Sequence, residues 1–306
     1  MNIIQKFIHK IDTTQRKHRF SAFIYGVIKK YGEDEAGYQA ALLTYYGFLA
    51  LFPLLLVLTT VVGSIAGSHS ALQAKIIHST TAYFPMLGNQ LSDHVHSLHR
   101  SGLALLIGIV LTMYGARGVA DVFRHGVNSI WRVPRKKRDT FPKSLFKSMG
   151  IIIFGGLGFS SASLIASYTS AVSGHSIAFQ AFSVGVNLFI LFWLFLLLLK
   201  LSLPGHVSIK ETRSGAASAA IGLVILQSFG SYLLARELKN LDALYSYFAI
   251  ALGLLFWIYL QAQMLYYSIE IAAVRAHNLW PRSLSGTNLT EADKRSASTL
   301  YTDATT

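Results

Sequence analysis

The sequence predicts an all-α polytopic membrane protein, with six transmembrane helices and amphipathic interfacial helices on the cytoplasmic side. Composition is the first reason. The 306 residues are 52% hydrophobic and 13% charged, with a mean hydropathy of +0.44, whereas a soluble domain carries about a quarter charged residues. The second reason is run length. A helix needs about 20 mostly apolar residues to cross a hydrocarbon core of about 30 Å, and six stretches approach or meet that: 40–66, 102–116, 149–172, 177–199, 215–234 and 245–273. The third is the placement of positive charge. With the N-terminus inside, 23 of the 27 Lys and Arg residues fall in inner segments, the bias that orients membrane proteins. Both termini are therefore expected in the cytoplasm. The chain divides into an N-terminal segment (1–39), a six-span membrane domain (40–273) and a polar, flexible tail (274–306).

The formal net charge of +13 follows from those basic inner segments, which sit against anionic lipid of the inner leaflet. A nucleic-acid partner is excluded, because no soluble domain is large enough to offer a basic surface with base-stacking aromatics. Cysteine is absent, which removes disulfides and thiolate metal ligands. The first long apolar run starts near Ala40, too far in for a secretory leader.

Before the first span, Phe20, Phe23, Ile24, Val27, Ile28 and Tyr31 recur at three- and four-residue steps. They make one apolar stripe, with Arg19, Lys29 and Lys30 facing away, and predict a helix lying in the inner interface and stopped by Gly32. A weaker stripe (Ile4, Phe7, Ile8, Ile11) precedes it. Glu33, Asp34 and Glu35 would then open the next helix, at the end of its dipole that favours negative charge. In the first span Thr44, Tyr45 and Tyr46 mark the inner end, and Pro53 predicts a kink within the bilayer.

The first outer segment is rich in histidine, with His94, His96 and His99 spaced like a metal site. Leucine at 98 stands where phosphodiesterase strings of this kind carry aspartate. Leu91, Val95 and Leu98 step by four and three, so the segment reads as a helix. On a helix His94 and His96 point about 160° apart, so the three imidazoles cannot meet at one ion. We reject the metal site and assign no cofactor.

After the second span, Val119, Val122, Phe123, Val127, Ile130 and Trp131 form another helical stripe, which Pro134 should end. This helix is expected to lie along the inner membrane face with Trp131 at headgroup depth. Arg124 and the run Arg135, Lys136, Lys137, Arg138 are the candidate contacts for anionic headgroups.

Ionisable groups inside a span mark function or a buried pair. In the last span Gln263, Tyr266, Tyr267 and Glu270 share one face. Glu270 and Arg117 both lie near inner helix ends. They are expected to pair, or to flank a polar cavity with Tyr45, Tyr46, Gln263 and Tyr266 that opens to the cytosol. Gln227 and Asn187 read as interhelical hydrogen-bond formers, and small residues of the third and fifth spans (Gly155, Gly158, Gly215, Ala219) as faces for close packing.

Several of these features recur together in one family. Tyr114, Arg117, Asn128, Ile130, Trp131 and Pro134 form a Y-x-x-R…N-x-I-W-x-x-P arrangement, followed by Leu203-Pro204 and the closing FWIYLQAQMLYYSIEIAA. From about Tyr38 to Ala273 the chain resembles the YihY/BrkB family of bacterial inner-membrane proteins. It departs from the family pattern at Ser268-Ile269, where a Gly-Ala pair is usual, so packing of the last span is expected to differ there. The resemblance implies an inner-membrane location. It also brings an old ribonuclease label, which the residues oppose: the 14 acidic residues form no cluster suited to metal-dependent cleavage, so we expect no enzyme.

Two functions stand after this reading. One is a transporter or flippase of a lipid or other amphiphile; the other is a non-transporting scaffold or regulator in envelope assembly, with a homo-oligomer or an envelope protein as partner. GxxxxGK[ST] is absent from the chain, so any transport would be passive, ion-coupled or driven by a partner.

Overall fold

The computed structural model describes residues 12–13, 15–65, 102–171, 177–205, 207–237, 243–284 and 289–304. Among these the secondary structure is helical, without a strand. In chain order the main helices are α1 (Arg19–Glu33), α2 (Ala36–Ile65), α3 (Gly102–Ile130), α4 (Lys143–Ala171), α5 (Ile177–Ser202), α6 (Ile209–Glu237), α7 (Ala243–Ala276) and α8 (Glu291–Ala304), with a short 3-10 turn at Arg135–Lys137.

Six of these, α2 to α7, are 26 to 34 residues long, and each contains most of one of the apolar runs. Lys143–Ala162 and Ala181–Ser202 are long and apolar enough to cross a membrane by length and composition. The six helices run alternately up and down. At the end of the bundle where α1 lies, the last turn of α3 meets the last turn of α5, because Asn128 Nδ2 donates to Ser202 O at 2.9 Å. The first turns of α4 join them, with Lys147 Nζ donating to Leu203 O at 3.1 Å.

Packing is sequential around most of the bundle: α4 on α5, α5 on α6, α6 on α7. The last long helix then returns to the first, α7 on α2, and α2 packs broadly on α3. Contact between α3 and α4 is the narrowest of these seams. The helices thus trace a C, in the order α3–α2–α7–α6–α5–α4, whose two tips are neighbours in sequence.

Close approach is bought by small residues, as association in lipid requires when apolar burial offers no driving force. A Cβ on Gly215 of α6 would lie 2.8 Å from both Ala272 Cβ and Ser268 O of α7. The departure at Ser268-Ile269 therefore sits at a tight contact, and the small residue there comes from α6. Ser268 turns its hydroxyl to its own helix, donating to Met264 O at 2.9 Å. Large apolar side chains stay exposed on all six long helices, among them Leu49, Val110, Leu157, Trp193, Phe229 and Phe256. A soluble surface rarely carries so many.

The structure departs from the sequence expectations along the chain. Gly32 does not stop α1; the break comes at Glu35, whose φ is 51°. Glu33 and Asp34 do not serve the α2 dipole, since the first turn of α2 holds no acid. The second span and its amphipathic continuation are one helix, α3, ended by Arg132 at φ 49° and by Val133 N donating to Asn128 O at 2.9 Å. Trp131 is 7% exposed and packs edge-on against His277 at 5.3 Å, not at a headgroup surface. Where a flexible tail was expected, α8 forms, opened by Thr290 and Asp293, whose side chains and backbone N–H groups bond reciprocally. Pro53 leaves α2 unbroken from Ala36 to Ile65. The histidines at 94, 96 and 99 and the stripe at Ile4–Ile11 lie outside the described residues.

Candidate functional site: a buried charge network

The helix α1 leaves part of its apolar stripe exposed, as an interfacial helix would, but buries the small-residue side that carries Lys30. Its buried face is Ala22, Gly26, Val27 and Lys30, while Phe20, Ile24 and Ile28 are exposed. Gly26 allows this, because a Cβ there would stand 3.2 Å from Leu279 O and from Trp280 Cβ. Val27 packs with Val274 and Leu279, and Phe23 meets Trp280 edge-on at 5.8 Å.

That docking carries Lys30 into the protein, where its side chain is 1% exposed. An ammonium has three donors, and Lys30 uses all three. It donates to Glu270 Oε2 at 2.9 Å, to Ile130 O at 2.8 Å, and to the Asp34 carboxylate. Removing one member of such a buried pair strands the other charge, at a cost of about 3–5 kcal/mol.

The network runs on from there. Arg132, held by its left-handed backbone at the end of α3, reaches Asp34 Oδ1 with Nη2 at 2.9 Å and lies 4.0 Å from Glu33. Glu33 also accepts from Arg282 at 2.5 Å, and Arg282 from the other side meets Asp293 at 2.6 Å. Lys29 closes the chain at 2.9 Å from the same Asp293 oxygen. Four acids (Glu270, Asp34, Glu33, Asp293) and four bases (Lys30, Arg132, Arg282, Lys29) so link α1, α3, α7 and α8. Burial pulls the Asp293 carboxyl upward, but the Thr290 and Ser283 backbone N–H groups and the Lys29 ammonium overcome it and hold the group well below its usual 3.8.

One turn above Glu270, Tyr266 is fully buried and its ring presses on Gly126 of α3. The Glu270 Oε1 and Tyr266 Oη atoms are both buried and have no hydrogen-bond partner among the described residues. Higher still, Tyr31 stacks on Tyr267 at 3.9 Å and donates to Gln263, which in turn donates to Tyr259.

The expected cavity residues therefore separate into two groups. Gln263, Tyr266 and Glu270 share the α7 face turned to α1 and α3. Arg117 is not the partner of Glu270: it lies 3.5 Å from Asp121 on an exposed face. The reason is helical geometry. Arg117 and Gly126, which faces Tyr266, are nine residues apart, about half a turn at roughly 100° per residue. Tyr46 abuts Gly118 with its ring, and Tyr45 is 57% exposed.

The headgroup candidates separate too. Arg135, Lys136 and Lys137 are exposed. Arg138 Nε is engaged by Val133 O at 2.9 Å. Arg124 is no surface residue: it is buried and donates to Ser144 O at 2.8 Å and to the hydroxyls of Ser144 and Ser148 at 3.0 Å. Sequence reading missed Lys30, Asp34, Arg132, Arg282 and Asp293. One signal was present: Ala22, Gly26 and Lys30 step by four, so a small-residue face ends in a lysine.

A helical bundle with a belt of exposed apolar side chains and ionised groups gathered at one end defines an integral membrane protein of the all-α class. The sequence profile of the family described as Virulence factor BrkB matches residues 27–289, and the chain belongs to that family. It is 25% identical over 268 residues to a UPF0761 membrane protein of Psychrobacter sp. (strain PRwf-1), covering 83% of this chain and 48% of that one. It is 24% identical over 262 residues to a UPF0761 membrane protein of Alcanivorax borkumensis (strain ATCC 700651 / DSM 11573 / NCIMB 13689 / SK2), covering 82% of this chain and 59% of that one. The chain thus spans about half the length of these relatives. No solved structure matches it.

Proposed function

We propose that the protein is a carrier of a lipid or other amphiphile, a transporter or flippase with six spans in the bacterial inner membrane, and not an enzyme. The observation that carries the reading is the Lys30–Glu270 pair. Ionised groups inside an apolar bundle are costly and rarely idle, and here the carboxylate keeps one oxygen, one turn from buried Tyr266, without a hydrogen-bond partner among the described residues. Such a group can take up a proton or a polar ligand atom as helices rearrange.

The topology has independent support. The helices α1 and α8 touch through Lys29 and Asp293, which supports placing both terminal segments on one side with an even number of crossings. Six alternating helices agree with that, and the exposed run Arg135–Lys137 at the same end favours it as the cytoplasmic one.

A second reading has its own observation. The network uses nearly every donor and joins both terminal segments to α7, which suits a scaffold whose polar groups only hold helices together. The two readings part in reconstituted vesicles. Transfer of a fluorescent phospholipid between leaflets would be measured for the unaltered protein and for the paired variant Lys30→Met/Glu270→Met, which removes both charges at once and so avoids a stranded ion. The carrier reading expects transfer above protein-free vesicles, lost in a folded paired variant. Absence of transfer for every lipid class tried would favour the scaffold.

A further inference from the structure

We propose that the seam between α3 and α4 binds an anionic phospholipid, with its phosphate on Arg117 and its acyl chains along the apolar faces beside it. This rests on the carrier reading and names the amphiphile.

Two arginines lie on one side of α3. Arg124 and Arg117 are seven residues apart, so at about 100° per residue they point within roughly 20° of one another. Arg124, at 8% side-chain exposure, is closed in by α4 through Ser144 and Ser148. Arg117 on the same side is 58% exposed. Continuing along α3 on that side, Met113, Val110 and Leu106 are 56%, 58% and 62% exposed.

Had α4 followed α3, these residues would be covered as Arg124 is. Instead α4 follows α5: Phe159 meets Phe195 edge-on at 6.0 Å, and a Cβ on Gly158 would collide with Leu194. The stretch Lys143–Ala162 is only 17% buried, against 44% for Ala181–Ser202 of α5. The two helices are stapled at Arg124, and beyond it this side of α3 is left uncovered.

The chemistry where that cover ends is specific. The nearest approach of Arg117 to Asp121 is through Nε, at 3.5 Å, and the Arg117 side chain is 58% exposed. That carboxylate is shared, accepting from Ser148 Oγ at 2.5 Å and lying 3.7 Å from Arg124. The Arg117 fork therefore keeps donors for a second anion, and a guanidinium matches phosphate oxygens two at a time. At headgroup depth an exposed guanidinium finds its natural counter-charge in a lipid phosphate. The apolar run 102–116 ends at Arg117, which sets this depth. Tyr114, 79% exposed one turn away, suits the same level. Apolar walls above a single cation fit a phospholipid better than a free phosphate ion.

The chain has no cysteine, so single labels are clean. Met113→Cys at the seam and Ile225→Cys, exposed on α6, would each carry a fluorophore in phosphatidylcholine vesicles. Quenching would be read from trace nitroxide-labelled phosphatidylglycerol and, separately, from nitroxide-labelled phosphatidylcholine. One basic side chain near a bilayer is worth about 1 kcal/mol toward an anionic lipid, so the anionic tracer should be enriched about fivefold at Met113 relative to Ile225. The zwitterionic tracer should show no such excess. Arg117→Lys should keep the excess and Arg117→Gln should lose it. Equal quenching at both sites, an excess surviving Arg117→Gln, or an excess abolished by inorganic phosphate would each overturn the proposal. Lipid transfer measured on the same vesicles separates the two claims: an excess without transfer refutes the carrier alone, and transfer without an excess refutes the seam alone.

Discussion

The end of the bundle near α1 and the seam between α3 and α4 use the same residue types to opposite ends. At the α1 end, Lys30 spends all three donors on buried acceptors, and eight charged side chains alternate in sign across four helices. At the seam, Arg117 keeps one long contact to a carboxylate it shares. What separates them is packing. Gly26 and Gly126 let their neighbours close in on the first site, where Lys30 and Glu270 are buried, whereas the second is left open, with Arg117 exposed. A cation in this chain is therefore a lock or a binding group according to whether a small residue faces it.

The comparison can be broken most severely at Glu270. Glu270→Gln leaves Lys30 buried without one of its two acids, and stability should fall by about 3–5 kcal/mol, read as a large drop in thermal midpoint in detergent. A midpoint near that of the unaltered protein would show the pair to be dispensable. Gly126→Ala comes next. The added methyl meets the Tyr266 ring, and overpacking of this kind costs about 1–3 kcal/mol. Tyr266→Leu in the same chain should restore much of the loss, and failure to do so would place the contact elsewhere.

A milder perturbation is acid. Asp293 titrates lower in the folded protein than in the unfolded chain. The stability it lends is thus complete above its unfolded value of about 3.8 and is lost as pH falls below that. Hydrogen exchange in α8 should accelerate in that range, and Asp293→Asn should remove the pH dependence. The smallest effect belongs to the seam. Arg117→Gln should change the thermal midpoint by no more than about 1 kcal/mol in equivalent stability, since exposed pairs are weak. A larger loss would mean that Arg117 is structural after all.

Much of the fold was legible because its causes are local. Apolar runs and charge bias mark the long helices, and Pro134 and Leu203-Pro204 mark where two of them end. Glu270 stood out for the same reason, as an acid inside an apolar run. Its partner did not, because Lys30 belongs to a different helix, one whose apolar stripe marks the side open to lipid and not the side that docks on the protein. Apolar Phe20, Ile24 and Ile28 can face lipid, so hydrophobicity stops indicating the interior of a membrane protein, and small residues such as Ala22 and Gly26 mark it instead. The α8 docking was hidden by composition, since a Ser- and Thr-rich tail looks disordered until Asp293 finds Lys29 and Arg282.

The central claim is that Lys30 and Glu270 act as one unit holding α1 to α7. A double-mutant cycle on thermal unfolding, with Lys30→Met, Glu270→Met and both together, tests it most directly. The account expects the double variant to be more stable than the sum of the single losses allows, with a coupling of about 2 kcal/mol or more. Losses that simply add would contradict it.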